Sequence, residues 1–179
     1  MDLKKEFIFD EFFTLSWSAG VSRSTIYKKN IRENQRLELK KFVKNIIIND
    51  YLFHYKNIVN DVKHVANIDN ISYKASKQFS NILHFNRFRI GTSQKILNLY
   101  LKYLWCFGEI TKPPHCPIDG LVLEKLKQIS PKNYKKIFSI SWTKLDNINQ
   151  YNKIIDVARY IVGEDLSEWE LNFWSTFGE

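Results

Sequence analysis

Ser93-Gln94-Lys95-Ile96-Leu97-Asn98-Leu99-Tyr100-Leu101-Lys102-Tyr103-Leu104-Trp105-Cys106-Phe107 is the stretch that decides the fold. Ile96, Leu97, Leu99, Tyr100, Leu101, Tyr103, Leu104 and Trp105 leave almost no polar side, and no glycine or proline interrupts them. A helix that is apolar nearly all round must be covered on most sides, so it belongs in the middle of a bundle. Thr92 or Ser93 is the expected cap, because the first-turn amides need an acceptor. Lys95, Asn98 and Lys102 recur at i, i+3 and i+7 and therefore share one stripe. An unpaired ammonium is costly to bury, so this stripe is either a solvated face or the wall of a cleft.

Upstream, Leu37, Leu39, Phe42, Val43, Ile46 and Ile47 predict a helix over 33–50. After a break near Asn49-Asp50 a helix continues over 51–66, residues 67–73 read as a loop, and 74–85 read as a helix with Phe79, Ile82 and Leu83 inward. Residues 84–92 form a basic connector containing Arg87, Arg89 and Gly91. Downstream, a turn at Gly108 leads into Pro113-Pro114-His115-Cys116-Pro117. Asp119 then caps, or sits in the first turn of, an amphipathic segment over 121–126. Further helices are expected at 131–138, 147–162 and 166–176, and no strand pair is evident. The expected fold is all-α: a compact helical bundle in one domain, with N-terminal helices over 1–85, a central unit over 86–126 and C-terminal helices over 127–179.

The 179 residues carry 27 basic and 19 acidic side chains, a net charge of 27 − 19 = +8, with 15% aromatic content. Basic charge with many rings suits nucleic acid, where cations meet phosphates and rings meet bases. Overuse of Lys, Asn and Ile by an AT-rich gene gives the same composition, so both readings stay open. The 44% hydrophobic content excludes a disordered chain, and no apolar run approaches the ~20 residues that span a bilayer. No apolar core of a signal peptide follows the charged start. A cytoplasmic protein with two reduced thiols, Cys106 and Cys116, is expected. One local His and one local Cys do not make a metal site, and neither a metal nor a cofactor is expected.

The order of these residues resembles the helix-hairpin-helix DNA glycosylase superfamily, and within it the archaeal 8-oxoguanine DNA glycosylases. The resemblance rests on a glycine turn, Gln94-Lys95 opening an apolar helix, a proline-rich loop, Pro117-Ile118-Asp119, and Glu170 four residues before Trp174. It covers roughly residues 87–126 and 163–177. It implies a central cleft in which Lys95 stands in the place of the Schiff-base nucleophile and Asp119 in that of the essential aspartate. It further implies a base pocket from Lys102, Glu170 and Trp174. Only Ile90-Gly91 remains of the family's Leu-Pro-Gly-x-Gly hairpin, and Glu170 replaces an aspartate.

What the resemblance implies is a DNA glycosylase, with lyase activity, acting as a monomer on double-stranded DNA that holds a modified base. An N-glycosidic bond breaks through a cationic sugar, which a carboxylate stabilises and a nucleophile captures. The amine has to be neutral to attack, and burial together with a second lysine favours that form. The base must leave the stack to be reached. Arg87 and Arg89 would supply salt-sensitive phosphate contacts, and the amides around Gly91, Thr92 and Ser93 a phosphate site at a helix start. Two other readings stay open: a nonenzymatic nucleic-acid-binding helical protein, and a helical interaction module of a phage-defence or toxin–antitoxin system.

Overall fold

In the computed structural model, which describes residues 2–175, the apolar stretch is the central helix of an all-helical protein. This helix, α4, spans Ile90–Cys106 and follows α1 (Leu3–Val21), α2 (Glu33–Asn45) and α3 (Asp61–Phe79). It precedes α5 (Gly120–Ile129), α6 (Lys135–Phe138), α7 (Ile148–Val162) and α8 (Leu166–Ser175). Among the described residues the nearest approach to a sheet is one isolated β-bridge, Tyr27 to Leu83. No helix among them is long and apolar enough to cross a membrane. The span 166–176 expected for the last helix runs one position past the described residues.

Ile96, Leu97, Tyr100, Leu101 and Leu104 of α4 are buried, as an all-round apolar helix requires. Helix α1, whose apolar residues are too evenly spread to show one face, lies along it. Phe13 meets Tyr100 edge to face with centroids 5.7 Å apart, and Phe12 stacks on Tyr103 at 5.3 Å. The two helices come closest where Gly20 faces Ile96: a Cβ at position 20 would lie 2.4 Å from Ile96 Cγ1. One turn further toward its N-terminus α4 receives the turn Trp142–Lys144. Its start needs Gly91, because a Cβ there would lie 1.9 Å from the Trp142 carbonyl oxygen.

Several expected boundaries are corrected. The loop expected at 67–73 lies inside α3, which buries His64, Asn67, Ile68, Ile71, Ser72 and Ala75 along one face. The polar members of that face are bonded inward, Asn67 to the Tyr55 hydroxyl and Ser72 to the Phe88 carbonyl, and they interrupt the apolar pattern. The helix expected at 74–85 is the end of α3, followed by a turn. The helix expected over 33–50 loosens into a π-helical turn at Ile46–Tyr51 and a 3₁₀ turn at Leu52–Lys56, so no α-helix continues over 51–60. Asn60 restarts the chain by capping α3 through Lys63 N at 2.9 Å. At α4 the capping position is Arg89, and the Ser93 hydroxyl bonds back to the Arg89 carbonyl instead of capping. Asp119 caps α5, its Oδ1 accepting from Leu121 N and Val122 N at 3.0 and 3.1 Å.

Gly91→Ala is expected to lower unfolding stability by roughly 1–3 kcal/mol, the usual cost of overpacking. Gly120→Ala, where nothing lies within 4 Å of the added carbon, should be neutral or stabilising by up to about 1 kcal/mol. Urea denaturation of the two variants beside the wild type checks both; equal stabilities would refute the close contact.

Candidate active site

The proline-rich loop has a backbone problem. Pro113, Pro114 and Pro117 have no N–H to offer, while the carbonyls around them still need donors. Side chains from three helices supply these. The Ser167 hydroxyl of α8 donates to Pro113 O at 2.7 Å, and Arg159 of α7 to Pro114 O at 3.2 Å. From α4, Asn98 donates to Cys116 O at 3.0 Å and Gln94 to Ile118 O at 2.7 Å. Gln94 also accepts from Ile118 N at 3.0 Å, so one buried carboxamide holds both backbone groups of a single loop residue.

That clamp sets the next residue. Lys95, which follows Gln94, places its ammonium 2.6 Å from Oδ2 of Asp119, which follows Ile118. The side chains are 10% and 13% exposed. Asp119 Oδ1 is held by the two α5 amides, which leaves Oδ2 for Lys95. The Lys95 ammonium also stands 4.9 Å from the centroid of the buried Trp142 ring. Two turns along α4, Lys102 Nζ donates to Glu170 Oε1 at 2.9 Å and lies 5.5 Å from the Trp174 ring. Burial pushes the Glu170 carboxyl above the ordinary glutamate range, and the hydrogen bond from Lys102 opposes that push.

All five of these groups, Lys95, Asp119, Lys102, Glu170 and Trp174, line one cavity of about 420 Å³. The two lysines of the stripe therefore line a cleft, while Asn98 between them is fully buried. Each ammonium has its own carboxylate, so the repulsion expected between the two lysines is offset locally. Sequence reasoning missed the opposite wall, where the end of α1 contributes Ala19, Ser22 and Arg23. Nothing in their spacing links them to residues 95–119.

The structure separates the other expected contacts from this cavity. The Arg87 guanidinium is paired with Asp146 at 3.0 Å, and Arg89 donates to Thr143 O at 3.0 Å. Gly91, Thr92 and Ser93 are buried, and the Gly91 amide is committed to Leu145 O at 2.8 Å. The phosphate contact expected of these three residues is therefore not available there, because the turn between α6 and α7 covers them.

Behind the pair runs a buried polar chain that linear spacing did not reveal. The Tyr55 hydroxyl lies 2.8 Å from His64 Nδ1, and His64 Nε2 lies 2.8 Å from Asn98 Oδ1. Asn98 donates through Nδ2 to the Tyr151 hydroxyl at 3.2 Å, and that hydroxyl lies 2.8 Å from His115 Nδ1. Because the Asn98 amide nitrogen is the donor, its oxygen must accept. His64 is then protonated on Nε2 and accepts at Nδ1. By the same logic His115 accepts at Nδ1 and turns Nε2 toward Asp61, 3.2 Å away. Burial drives His64 well below the ordinary histidine range, and it lowers His115 against the opposing pull of Asp61. His115 and Arg159 together hold the Asp61 carboxyl well below its usual range. The Cys116 thiol is pushed up by burial, while Cys106 is exposed. Among the described residues no group of three His, Cys, Asp or Glu side chains is placed to hold a metal ion. No family model, curated protein or solved structure matches this chain.

Neutral His64 and His115 give stability a pH dependence. Below the unfolded pKa near 6.5, the unfolded chain takes up protons that the folded chain refuses, so stability falls as pH falls. The cost approaches about 1.4 kcal/mol per pH unit for each histidine that stays neutral. The urea midpoint should drop between pH 7.5 and pH 5.5, and His64→Gln should flatten that drop. An unchanged slope in the variant would show that His64 is not held neutral.

Proposed function

We propose that this protein is a DNA N-glycosylase with an associated lyase step, acting on a modified base in double-stranded DNA. The observation that carries the reading is the ammonium of Lys95 beside the carboxylate of Asp119, 2.6 Å apart on the wall of a cavity that also holds Lys102, Glu170 and Trp174. Residues 24 positions apart in sequence meet on the wall of one cavity. The net charge of +8 suits a polyanionic partner.

In this reading the nucleotide leaves the stack and its base enters the cavity, where the Trp174 ring offers a stacking face and the Lys102–Glu170 pair offers a donor and an acceptor. The bond between C1′ and the base nitrogen breaks, and its electron pair leaves with the base, which takes up a proton. Asp119 faces the positive charge left on the sugar. Lys95 gives up a proton, Asp119 relays it to the departing base and so stays ionised facing the sugar, and the amine lone pair forms the new bond to C1′. Opening of the sugar ring at O4′ gives an imine. Loss of a C2′ proton then expels the 3′ phosphate and nicks the strand. Arg87 and Arg89 lie outside the cavity and serve, in this reading, as phosphate contacts. The candidate bases in this reading are 8-oxoguanine, an alkylated purine and a modified cytosine.

Borohydride added to the protein with duplexes bearing such bases should trap a covalent adduct. Lys95→Gln should abolish it, and Asp119→Asn should slow it by roughly two orders of magnitude or more, in the range lost with a key electrostatic group. Circular dichroism and thermal melting establish that each variant is folded. A folded wild type that binds duplex DNA and gives no adduct on any modified base would leave only a DNA-binding bundle.

A further inference from the structure

The groove between α3 and α7 runs against the charge of the protein. It is a cavity of about 430 Å³ lined by Asp61, Asp69 and Asp156, and by no lysine or arginine, in a chain of net charge +8. Only Asp61 is answered: Arg159 donates to both of its oxygens. Asp69 and Asp156 are exposed at the rim, and among the described residues neither has an ion-pair partner. Two carboxylates of one sign beside a cavity raise the local concentration of cations. An acidic rim alone would mean little, because solvated carboxylates are common on helices.

The floor of the cavity is the second observation. His115 lines it and is 1% exposed. Its Nδ1 is taken by the Tyr151 hydroxyl at 2.8 Å, so the proton is on Nε2. That N–H has no hydrogen-bond partner: Asp61 Oδ1 lies 3.2 Å away but out of line, held by Arg159 at 2.9 Å. A buried donor without an acceptor is costly, and in a native structure each one calls for an account. Between floor and rim the walls are aliphatic, with Ile155 buried, Val65 half-buried and Val62 exposed. The cavity thus presents one fixed donor inside, an aliphatic wall, and two anionic acceptors outside. Its size suits a small molecule. A peptide fits less well, because two α-helices offer no strand edge to pair with. No three His, Cys, Asp or Glu side chains among the described residues are placed to hold a metal ion. The carboxylates repel a polyanion.

We propose that the α3–α7 groove is a binding site for a small dicationic amine that bears a carbonyl group, the chemistry of a basic amino-acid amide. The carbonyl accepts from His115 Nε2, the methylenes lie on Val65 and Ile155, and the two ammonium groups face Asp69 and Asp156. The groove shares no lining residue with the Lys95 cavity, and the proposal does not rest on the glycosylase reading. Titration calorimetry at about pH 6.5, where both amines are charged, tests it with three probes. Lysinamide should bind with a dissociation constant of about 1 mM or below. Cadaverine, the same molecule without the carboxamide, should bind about five- to tenfold more weakly, the loss of one buried hydrogen bond. Hexanamide, which keeps the carboxamide and lacks both amines, should give no binding heat. Asp69→Asn and Asp156→Asn combined should weaken lysinamide about tenfold and leave the melting temperature unchanged, since both side chains are exposed. In proton–nitrogen spectra of the histidines, the His115 Nε2 resonance should move with lysinamide and stay in place with cadaverine. Equal binding of lysinamide and cadaverine, an affinity indifferent to the double substitution, or an unmoved His115 resonance would each overturn the site. So would the absence of lysinamide binding at about ten times the stated concentration.

Discussion

The four loop carbonyls at Pro113, Pro114, Cys116 and Ile118 are the constraint on which the site depends. A segment this rich in proline cannot satisfy itself, and a buried carbonyl left without a donor costs about 1–3 kcal/mol. Ser167, Arg159, Asn98 and Gln94 meet that demand from three helices, so the loop is fixed only when α4, α7 and α8 are all in place. Positioning of Asp119 is thereby a product of the whole bundle, not of its own neighbourhood. Gln94 contributes most to the register, because it grips Ile118 by both its N–H and its C=O. One carboxamide holds the residue before the carboxylate, and the next side chain on the helix is the amine. Groups preset in this way would lose little freedom if a ligand entered the cavity.

The electrostatics follow from the same helix. A buried ion pair is weak evidence for stability, since desolvation offsets much of the attraction. Two such pairs side by side on α4, both opening into one cavity, are hard to account for as a stability device. Apolar residues of similar size would serve packing as well or better. With Arg23 on the facing wall, the cavity holds three cations against two carboxylates. The surplus is one positive charge, which favours an anionic guest such as a nucleotide over a neutral one.

What was legible in the sequence, and what was not, follows from whether the deciding contact is local. Helix α4 was readable because its burial is written into nearly every residue, and Asp119 was readable as a cap because a cap acts over three residues. The polar stripe was readable as a stripe, but spacing did not give its partners, which only the resemblance supplied: Lys102 meets Glu170 across 68 positions. Helix α3 was misread because Asn67 and Ser72 point inward to distant acceptors and so mimic a loop. The histidines gave no signal, since His64 reaches Asn98 over 34 positions and His115 reaches Tyr151 over 36. Gly91 was readable as special, but for the wrong reason. It is required by the Trp142 carbonyl pressed against it, not by a phosphate.

The departures from local rules gather at one end of α4. Lys95 is a largely buried ammonium, Gly91 weakens a helix start, and Phe85 combines exposure with a strained backbone. Each is unfavourable where it stands, and a sequence selected for folding alone would replace all three. They are linked through Arg89, Thr143 and Trp142 by contacts, so the cost is concentrated and not scattered. Natural sequences break local consistency chiefly where function demands it. The buried chain from Tyr55 through His64, Asn98 and Tyr151 to His115 lies behind that end, with each hydrogen-bonding direction fixed by the next. Through Asn98, which also holds the Cys116 carbonyl, it gives the loop that leads to Asp119 a rigid backing.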